Sequence, residues 1–250
     1  MSDKVISIII PVRNEEDTII NVLSLLISKL EKENVNFEII VVNDYSTDST
    51  RKLIESFIEK NRKVKLIDNK FQAGFGHAIK YGLENFSGDY VVIYMGDGSD
   101  DPEDVVKYYY KLQEGYDCVF GSRFIKGAKI SGYPFVKLIF NRLGNWFIKF
   151  LFGIKYNDVS NAFKAYRREV IENIKPLISN YFNITVEIPL KAIVRGYKYT
   201  VIPIKWYGRT SGVSKYKLKE LQKKYLFSVL YVWLEKVLLK EELDRNVITK

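Results

Sequence analysis

Residues 94–104, YMGDGSDDPED, place a cluster of carboxylates directly after an apolar run. Its five acidic side chains fall within eight residues: Asp97, Asp100, Asp101, Glu103 and Asp104. Crowded like charges repel one another, so a divalent cation, the N-terminus of a following helix, or solvent alone must offset the repulsion. Pro102 is typical of a first helical turn, where acidic side chains are stabilised. We therefore expect Asp101, Glu103 and Asp104 mainly to serve the helix, which leaves Asp97 and Asp100 as candidate metal ligands.

Two further polar clusters lie at comparable positions. PVRNEE (11–16) and NDYSTD (43–48) each follow an apolar run, as GDGSDD (96–101) does. In an open parallel sheet, ligands bind at the carboxyl ends of the strands, where the strand order reverses. The sequence has no GxGxxG after the first run and no GxxxxGK[ST], so it lacks the dinucleotide fingerprint and the P-loop.

The apolar runs that must position these clusters are rich in β-branched residues, as strands buried on both faces are. They are VISIIIP (5–11), FEIIVVND (37–44), VKLID (64–68), DYVVIYMGD (89–97) and DCVF (117–120). Helical spacing separates each run from the next, so residues 5–120 predict a doubly wound α/β sheet with helices on both faces. Residues 158–205 are interpreted as a second, small α/β segment, followed by a long C-terminal helix.

Between Asp117 and Asp158 the chain has no acidic residue but seven basic ones. Aromatic and aliphatic residues are interleaved with these cations, which is typical of an amphipathic helix on an anionic membrane surface. The alternative is a core helix with a solvated basic face. We expect residues 134–152 and the apolar tail at 225–239 to lie at a membrane surface. The tail has a second interpretation, pairing with another copy or with a small membrane partner.

Composition limits the class of protein. The 250 residues are 47% hydrophobic and 28% charged, which is typical of a globular chain. The single cysteine, Cys118, excludes a disulfide framework. No apolar run reaches the roughly 20 residues that span a bilayer, and residues 1–12 do not fit a signal peptide. The net charge of +9 favours an anionic partner. A nucleic acid is not expected, because the carboxylate-rich strand ends would repel it.

Six segments resemble, in order, those of the family 2 glycosyltransferases, and within that family the polyprenyl-phosphate branch typified by dolichol-phosphate mannose synthase. They are SIIIPVRNEEDTI, EIIVVNDYSTDST, GFGHAIKYGLENFSGDYVVIYMGDGSDDPE, GSRFIKGAKISGYP, DVSNAFKAYRREVI and YGRTSGVSKY. The resemblance implies a GT-A fold, a nucleotide-sugar donor, a divalent metal and an inverting transfer. It also implies a GT-A domain over residues 1–215 and an amphipathic C-terminal helix and tail over 216–250.

The resemblance assigns the metal and donor residues. The family motif Asp-x-Asp aligns with Met95 and Asp97, so one usual carboxylate is missing. The candidate ligands of Mg²⁺ or Mn²⁺ are Asp97 and Ser99, with Asp100 as the replacement carboxylate and Asp101 as the open alternative to it. Such ions are bound by one or two carboxylates together with substrate phosphates. The implied donor residues are Pro11, Val12, Asn14, Glu15, Asp44, Gly74, Asp97 and Glu187. A turn-capping role for Asp44 and a buried structural role for Glu187 remain open alternatives.

The acceptor side follows from acid–base chemistry and the same resemblance. A hydroxyl acceptor needs a general base, whereas a phosphate monoester is already anionic and needs cations. The residues implied to hold that phosphate are Arg123, Lys137, Asn141 and Ser214. Arg209 and Lys215 belong to a loop implied to close over the donor, and with Asp97 they are the candidate catalytic residues.

We therefore expect transfer of a hexose from GDP-mannose or a UDP-sugar to a polyprenyl phosphate, by a peripheral protein on the cytoplasmic face of a membrane. Two alternatives stay open. One is a family 2 transferase with a soluble or glycan acceptor, and the other is a basic binding module without enzymatic activity.

Overall fold

The fold is built on a seven-stranded sheet, seen in a computed structural model that describes residues 4–208 and 218–248, with side chains over 4–208 and 223–239. The strands are β1 (Ile6–Val12), β2 (Phe37–Asn43), β3 (Val64–Asp68), β4 (Tyr90–Ile93), β5 (Cys118–Ser122), β6 (Lys129–Ser131), β7 (Lys164–Arg167), β8 (Tyr199–Pro203) and β9 (Lys205–Tyr207). The sheet order is β3-β2-β1-β4-β7-β5-β8, and β6 and β9 form a separate two-stranded ribbon.

Helices cover both faces of this sheet. They are α1 (Ile19–Lys32), α2 (Thr50–Ile58), α3 (Phe75–Asn85), α4 (Pro102–Gln113), α5 (Phe135–Phe152), α6 (Arg168–Asn173), α7 (Ile184–Val194) and α8 (Leu218–Ile248). Apolar residues of α1, α2 and α4 form one core against the first face of the sheet. Residues of α3, α5, α6, α7 and α8 form the second core on the opposite face. The alternation of strands and helices thus gives the predicted three-layer α/β fold.

The strand order reverses at β1, which pairs in parallel with β2 on one side and with β4 on the other. All seven residues of β1 and of β2 are buried, as their continuous apolar runs predict. Because parallel strands end at one edge of a sheet, the polar segments after β1, β2 and β4 converge there. The fold therefore brings the three predicted clusters to one place.

The expectation of a second α/β segment over residues 158–205 is wrong. Strand β7 enters the main sheet between β4 and β5 and pairs antiparallel with both. Strand β8 then extends the sheet beyond β5 in parallel. Residues 164–203 therefore complete the first sheet. β7 joins β4 to β5, which do not pair with each other, and β8 adds the outer strand.

Helix α5 is not the core helix that was the alternative for this stretch. Only Asn145, Ile148 and Phe152 of its residues are buried. Its exposed apolar side chains include Phe135 (73% exposed), Trp146 (67%) and Phe150 (76%). Across residues 4–208 and 218–248, none of the helices combines the length and hydropathy that crossing a membrane requires.

Glu38 links β2 to both of its neighbouring strands, β1 and β3, and to the loop that precedes β4. Its carboxylate accepts hydrogen bonds from Ser7 Oγ (2.6 Å), Ser87 N (2.6 Å) and Lys65 Nζ (2.9 Å). Burial alone would raise the pKa of Glu38, but the hydrogen bonds from Lys65, Ser7 and Ser87 outweigh it and lower the pKa to about 2.

A folded-state pKa below the ordinary value means that Glu38 stabilises the fold above pH 4.5 and loses this effect as the pH falls towards 2. We expect Glu38→Gln to lower Tm by about 5 °C at pH 7. The difference from the wild type should shrink as the pH falls through that window. Thermal melts from pH 7 to pH 2 measure this, with exposed Glu59→Gln as the control. A Glu38→Gln variant that melts with the wild type at every pH would contradict the assignment.

Candidate active site

A cleft of about 890 Å³ opens at the carboxyl ends of the parallel strands. It contains most of the residues singled out in the sequence: Pro11, Val12, Glu15, Asp44, Gly74, Asp97, Ser99, Asp100, Arg123, Lys137 and Asn141. The two loops after β1 and β2 form one end, the acidic segment after β4 lies between, and α5 and α8 form the other end. Polar strand ends and an apolar helical trough therefore share a single cleft.

Asp44 fixes the wall at the β2 end. Its carboxylate accepts hydrogen bonds from Gly74 N (3.0 Å to each oxygen) and from Asn69 Nδ2 (2.9 Å). These partners lie on the connection between β3 and α3. Asp44 therefore does not cap its own turn through these contacts, which was the alternative role for it. Asn43, where the family usually has aspartate, donates from Nδ2 to Asp68 (2.8 Å), which a carboxylate could not do.

The acidic segment divides into two groups, as the spacing predicts. Asp101 caps α4 by accepting a hydrogen bond from Glu103 N (2.9 Å). Lys205 Nζ lies 3.2 Å from Asp101 and 2.7 Å from Glu103, and Lys107 Nζ lies 2.7 Å from Asp104. The three later acids therefore serve the helix, and they also attract Lys205, a partner that the sequence did not reveal.

Asp97, Ser99 and Asp100 face the cleft instead. Asp97 Oδ1 accepts a hydrogen bond from Ser99 N (3.0 Å), and Asp100 Oδ2 accepts one from Met95 N (3.1 Å). Burial, and then the charge of Asp97, raise the pKa of Asp100 to about 8. A buried carboxylate whose pKa is raised by a neighbouring carboxylate is a suitable environment for a divalent cation.

The donor set also agrees with Mg²⁺ or Mn²⁺. Within the described residues, no group of three or more His, Cys, Asp or Glu side chains is arranged to enclose a metal. A site with two carboxylates at the edge of an open cleft leaves coordination positions for other oxygen ligands. Magnesium sites in proteins commonly have this composition, with substrate phosphates as the remaining ligands.

Arg123 reaches the cleft from the end of β5, but its charge is already paired. Its Nε and Nη2 donate to the two oxygens of Asp158 (2.9 and 2.7 Å), and its backbone N donates to the same carboxylate (2.9 Å). The guanidinium lies between the rings of Phe124, Tyr133 and Trp206. Burial acts to lower the pKa of Arg123, but Asp158 outweighs it and the net shift is upward. Arg123 therefore stays charged, and Asp158 fixes its position.

We expect Arg123→Ala to destabilise the protein by about 3–5 kcal/mol, because it leaves Asp158 buried without a countercharge. The double variant Arg123→Met/Asp158→Asn should recover a large part of this loss, since no unpaired charge remains and the introduced amide oxygen can still accept from the backbone N–H. Urea denaturation of both variants tests the prediction. Equal stability of wild type and Arg123→Ala would show that the ion pair contributes little.

The remaining acceptor candidates lie on α5. Asn141 Nδ2 and Asn145 Nδ2 both donate to Ser160 Oγ (2.8 and 3.0 Å), and Ser160 N donates to Asn145 Oδ1 (3.2 Å). This network ties α5 to the loop that contains Asp158. Lys137 lies one turn before Asn141 on α5, and both line the cleft. A cation and an amide thus stand where the cleft passes from polar to apolar.

The cleft continues as an apolar trough between α5 and α8. Its lining there comprises Phe140, Leu143, Phe147 and Ile148 from α5, with Tyr225, Leu226 and Val229 from α8. Outside the trough, both helices expose further apolar side chains: Phe135, Trp146 and Phe150 on α5, and Phe227, Leu230, Leu234 and Leu238 on α8. Exposed apolar surface of this extent marks an interaction site.

Residues 7–175 match the family described as Glycosyl transferase family 2. The chain belongs to this family. The polyprenol monophosphomannose synthase of Mycolicibacterium smegmatis is 29% identical over 216 residues, which cover 83% of this chain and 79% of the relative. The dolichol-phosphate mannosyltransferase of Pyrococcus furiosus is 30% identical over 220 residues, which cover 86% of this chain and 60% of the relative.

Solved structures show the same fold. Glucosyl-3-phosphoglycerate synthase from Mycobacterium tuberculosis, in complex with UDP, superposes with a TM-score of 0.69 at 19% identity and covers 92% of this chain and 80% of its own. Its complex with Mn²⁺, UDP and phosphoglyceric acid gives a TM-score of 0.68 at 19% identity, over 92% and 78% of the two chains. At 19% identity, this likeness shows the fold of the present chain alone, which is of the GT-A type.

Two predicted donor residues do not line the cleft of this glycosyltransferase. Asn14 has a φ of 54° and accepts a hydrogen bond at Oδ1 from Thr47 N (2.7 Å), so it ties the loop after β1 to the loop after β2. Glu187 is fully buried, accepts from Ile178 N (2.8 Å) and Ser179 N (2.7 Å), and lies 3.1 Å from Lys191 Nζ. These contacts fit the structural alternative for Glu187, not a sugar pocket.

Three other predicted residues, Arg209, Ser214 and Lys215, lie outside the described residues. Among the described ones, Lys164 was missed. It is fully buried and donates to Val159 O (2.9 Å), Thr185 O (3.2 Å) and Asn161 O, and burial lowers its pKa to about 7. Lys164 thus organises the loop that presents Asp158. Lys164 is the first residue of a four-residue strand that contains two basic residues, so no pattern in the sequence marked it.

Proposed function

We propose that this family 2 glycosyltransferase transfers a hexose, with inversion, from a nucleotide-sugar donor to a polyprenyl phosphate at a membrane surface. The observation that carries the proposal is the continuity of the cleft. It runs from a pair of carboxylates at a strand end, past Arg123 and Lys137, into an apolar trough between two helices that expose further apolar side chains. Such a cleft suits an acceptor with an anionic head and a long hydrocarbon chain.

The chemistry at the acceptor end supports a phosphate. Among the described residues, the cleft lining contributed by residues 123–161 contains Lys137 and Arg123 but no carboxylate and no histidine. A hydroxyl acceptor would need a base at this end, whereas a phosphate monoester needs only to be held and aligned. Lys137 and Asn141 are placed to hold that phosphate, and Asp158 keeps Arg123 beside it.

The donor is proposed to lie against the loops after β1 and β2. Pro11, Val12 and Glu15 form the wall for the base and ribose, and Asp44 with Gly74 closes it. Asp97, Ser99 and Asp100 would hold Mg²⁺ or Mn²⁺, which supplies positive charge to the departing diphosphate when bound. The names of the two relatives favour a mannosyl donor, and GDP-mannose is therefore the first donor to test.

The proposed location is the cytoplasmic face of a membrane, with α5 and α8 against the lipid. The proposed division of the chain keeps residues 1–215 as the catalytic domain and 216–250 as a C-terminal helix and tail. Within the described part, α8 packs on the second core through Val229 and Val232.

Transfer assays with radiolabelled GDP-mannose and UDP-glucose, followed by organic extraction, test the function directly. We expect label in the lipid phase with polyprenyl phosphate and none with free polyprenol. Lys137→Ala should raise the acceptor KM about tenfold or more, with donor affinity within twofold of the wild type. Lys126→Ala, at the surface outside the cleft, is the matched control. Efficient transfer to a water-soluble sugar alcohol, with Lys137 dispensable, would instead support a soluble acceptor.

A further inference from the structure

A buried polar cluster joins α8 to the loop between α6 and α7, residues 175–183. Ser228 Oγ of α8 lies 2.9 Å from Ser179 Oγ, and Asn183 Nδ2 donates to Ser179 Oγ (2.9 Å) and to Ser228 Oγ (2.8 Å). All three side chains are buried. Burying a polar group without a hydrogen bond costs free energy, so the cluster favours the single position of α8 in which all three side chains are paired. Apolar contacts alone would not specify that position.

The α6–α7 loop is also held by side chains of α7. Glu187 accepts hydrogen bonds from Ile178 N and Ser179 N, and Lys191 Nζ donates to Pro176 O. Glu187 and Lys191 are themselves buried and paired. The loop is therefore clamped between α7 and α8, and its position depends on both.

The same loop packs closely against the start of α3. His77 N donates to Asn180 O (3.2 Å), and the rings of Phe75 and Phe182 stack with centroids 4.1 Å apart. A Cβ atom at Gly76 would lie 2.5 Å from the carbonyl carbon of Asn180. The backbones of the loop and α3 are in direct contact here, so a displacement of one must move the other.

The start of α3 in turn holds the donor wall. Gly74 N donates to both carboxylate oxygens of Asp44, at 3.0 Å each. A Cβ atom at Gly74 would lie 2.8 Å from Asn180 O, so the loop also sets the position of this donor N–H. Contacts therefore run without a gap from Ser228 on α8, through the α6–α7 loop, to Asp44.

We propose that Ser228 and Asn183 are positioning residues, through which the position of α8 against the α6–α7 loop sets the affinity of the cleft for the nucleotide. The proposal rests on the proposed function, since it takes the ligand at Asp44 to be a nucleotide. Helix α8 exposes Phe227 and Leu230, which can contact a membrane surface. Membrane contact that stabilises the position of α8 against the α6–α7 loop therefore tightens nucleotide binding. By linkage, bound nucleotide strengthens membrane attachment by the same factor.

Isothermal titration with Mn²⁺–GDP and Mn²⁺–UDP tests the link in Ser228→Ala, which removes the shared hydroxyl. The expected result is a nucleotide Kd about tenfold weaker than that of the wild type, within the range of ordinary coupling between sites. The rate at saturating donor should change less than twofold, because Ser228 does not touch the reacting groups. Ser56→Ala, an exposed helical serine on α2, is the matched control.

A Ser228→Ala variant whose Tm falls while its nucleotide Kd stays within twofold of the wild type would overturn the link, since the cluster would then be structural only. If the variant does not fold, the wild type decides. Its nucleotide Kd should tighten at least threefold with phosphatidylglycerol vesicles, and an unchanged Kd overturns the proposal. A wild type that binds neither nucleotide would overturn the proposed function itself, so the two failures are distinguishable.

Discussion

Replacing Asp97 with asparagine should lower the transfer rate at least about a hundredfold while leaving the fold intact. Loss of an outer partner of a metal ligand already costs about 10–100-fold, and Asp97 is proposed to be a ligand itself. The side chain lines the cleft and is not part of either apolar core, so the variant should melt near the wild-type temperature. Asparagine keeps the shape but removes the charge that attracts Mg²⁺ or Mn²⁺.

Transfer rates and Mn²⁺-dependent nucleotide binding, measured on the same preparations, check this expectation. Glu103→Gln is the matched control, because Glu103 belongs to the same acidic segment but pairs with Lys205 outside the cleft. It should keep near wild-type activity. Full activity of Asp97→Asn at low Mn²⁺ concentration would remove Asp97 from the metal site and leave Asp100 as the candidate.

The double variant Trp146→Ser/Phe150→Ser should weaken binding to anionic vesicles about a hundredfold or more. Burying one large apolar side chain is worth about 1.5–3 kcal/mol, so two give at least about 3 kcal/mol. Both side chains are among the most exposed apolar groups of α5, and neither lines the cleft. Membrane attachment is thereby separated from acceptor binding, which charge reversal at Lys137 would not achieve because Lys137 lines the cleft.

Co-sedimentation with phosphatidylglycerol vesicles measures the effect. Leu25→Ser, an exposed apolar residue on α1 at the opposite face of the sheet, should sediment like the wild type. The double variant should keep its rate on a short, water-soluble polyprenyl phosphate and lose it on the membrane-embedded acceptor. Unchanged sedimentation would show that α5 does not contact the lipid.

Much of the sheet could be predicted from the sequence because β1, β2 and β4 are buried on both faces and are therefore mostly apolar, with Ser7, Glu38 and Asn43 as exceptions. Strand β7 could not be predicted in the same way. It has four residues, and two of them are basic. Its place between β4 and β5 is set by pairing with strands far away along the chain. Local pattern contains no signal for such pairing, which is why residues 158–205 were assigned to a separate segment.

The site residues likewise divide into those that the sequence could locate and those that depend on the tertiary fold. Asp44 and Asp97 could be located because each follows a strand and the ends of parallel strands meet at one edge, whereas Arg123 was implied by the family resemblance alone. The partners of these residues could not be located, since Asp158 lies 35 residues beyond Arg123 and contacts it only through the tertiary fold. The role of Glu187 stayed open between two alternatives for a related reason. A carboxylate on an apolar helix can face a cleft or the interior, and its spacing alone does not distinguish them.

The insertion of β7 has a consequence for synthesis. Translation adds about 5–20 residues per second, so the stretch from Ile93 at the end of β4 to Lys164 at the start of β7 takes roughly 4–14 seconds to make. During that interval β4 leaves the ribosome as an open edge of the nascent sheet, and β5 follows without either of its final neighbours. Open edges attract other strands. The nascent chain is therefore vulnerable to aggregation after its donor-side strands have formed. The four residues of β7 close the open edge of β4 and one edge of β5, and β8 closes the other edge of β5.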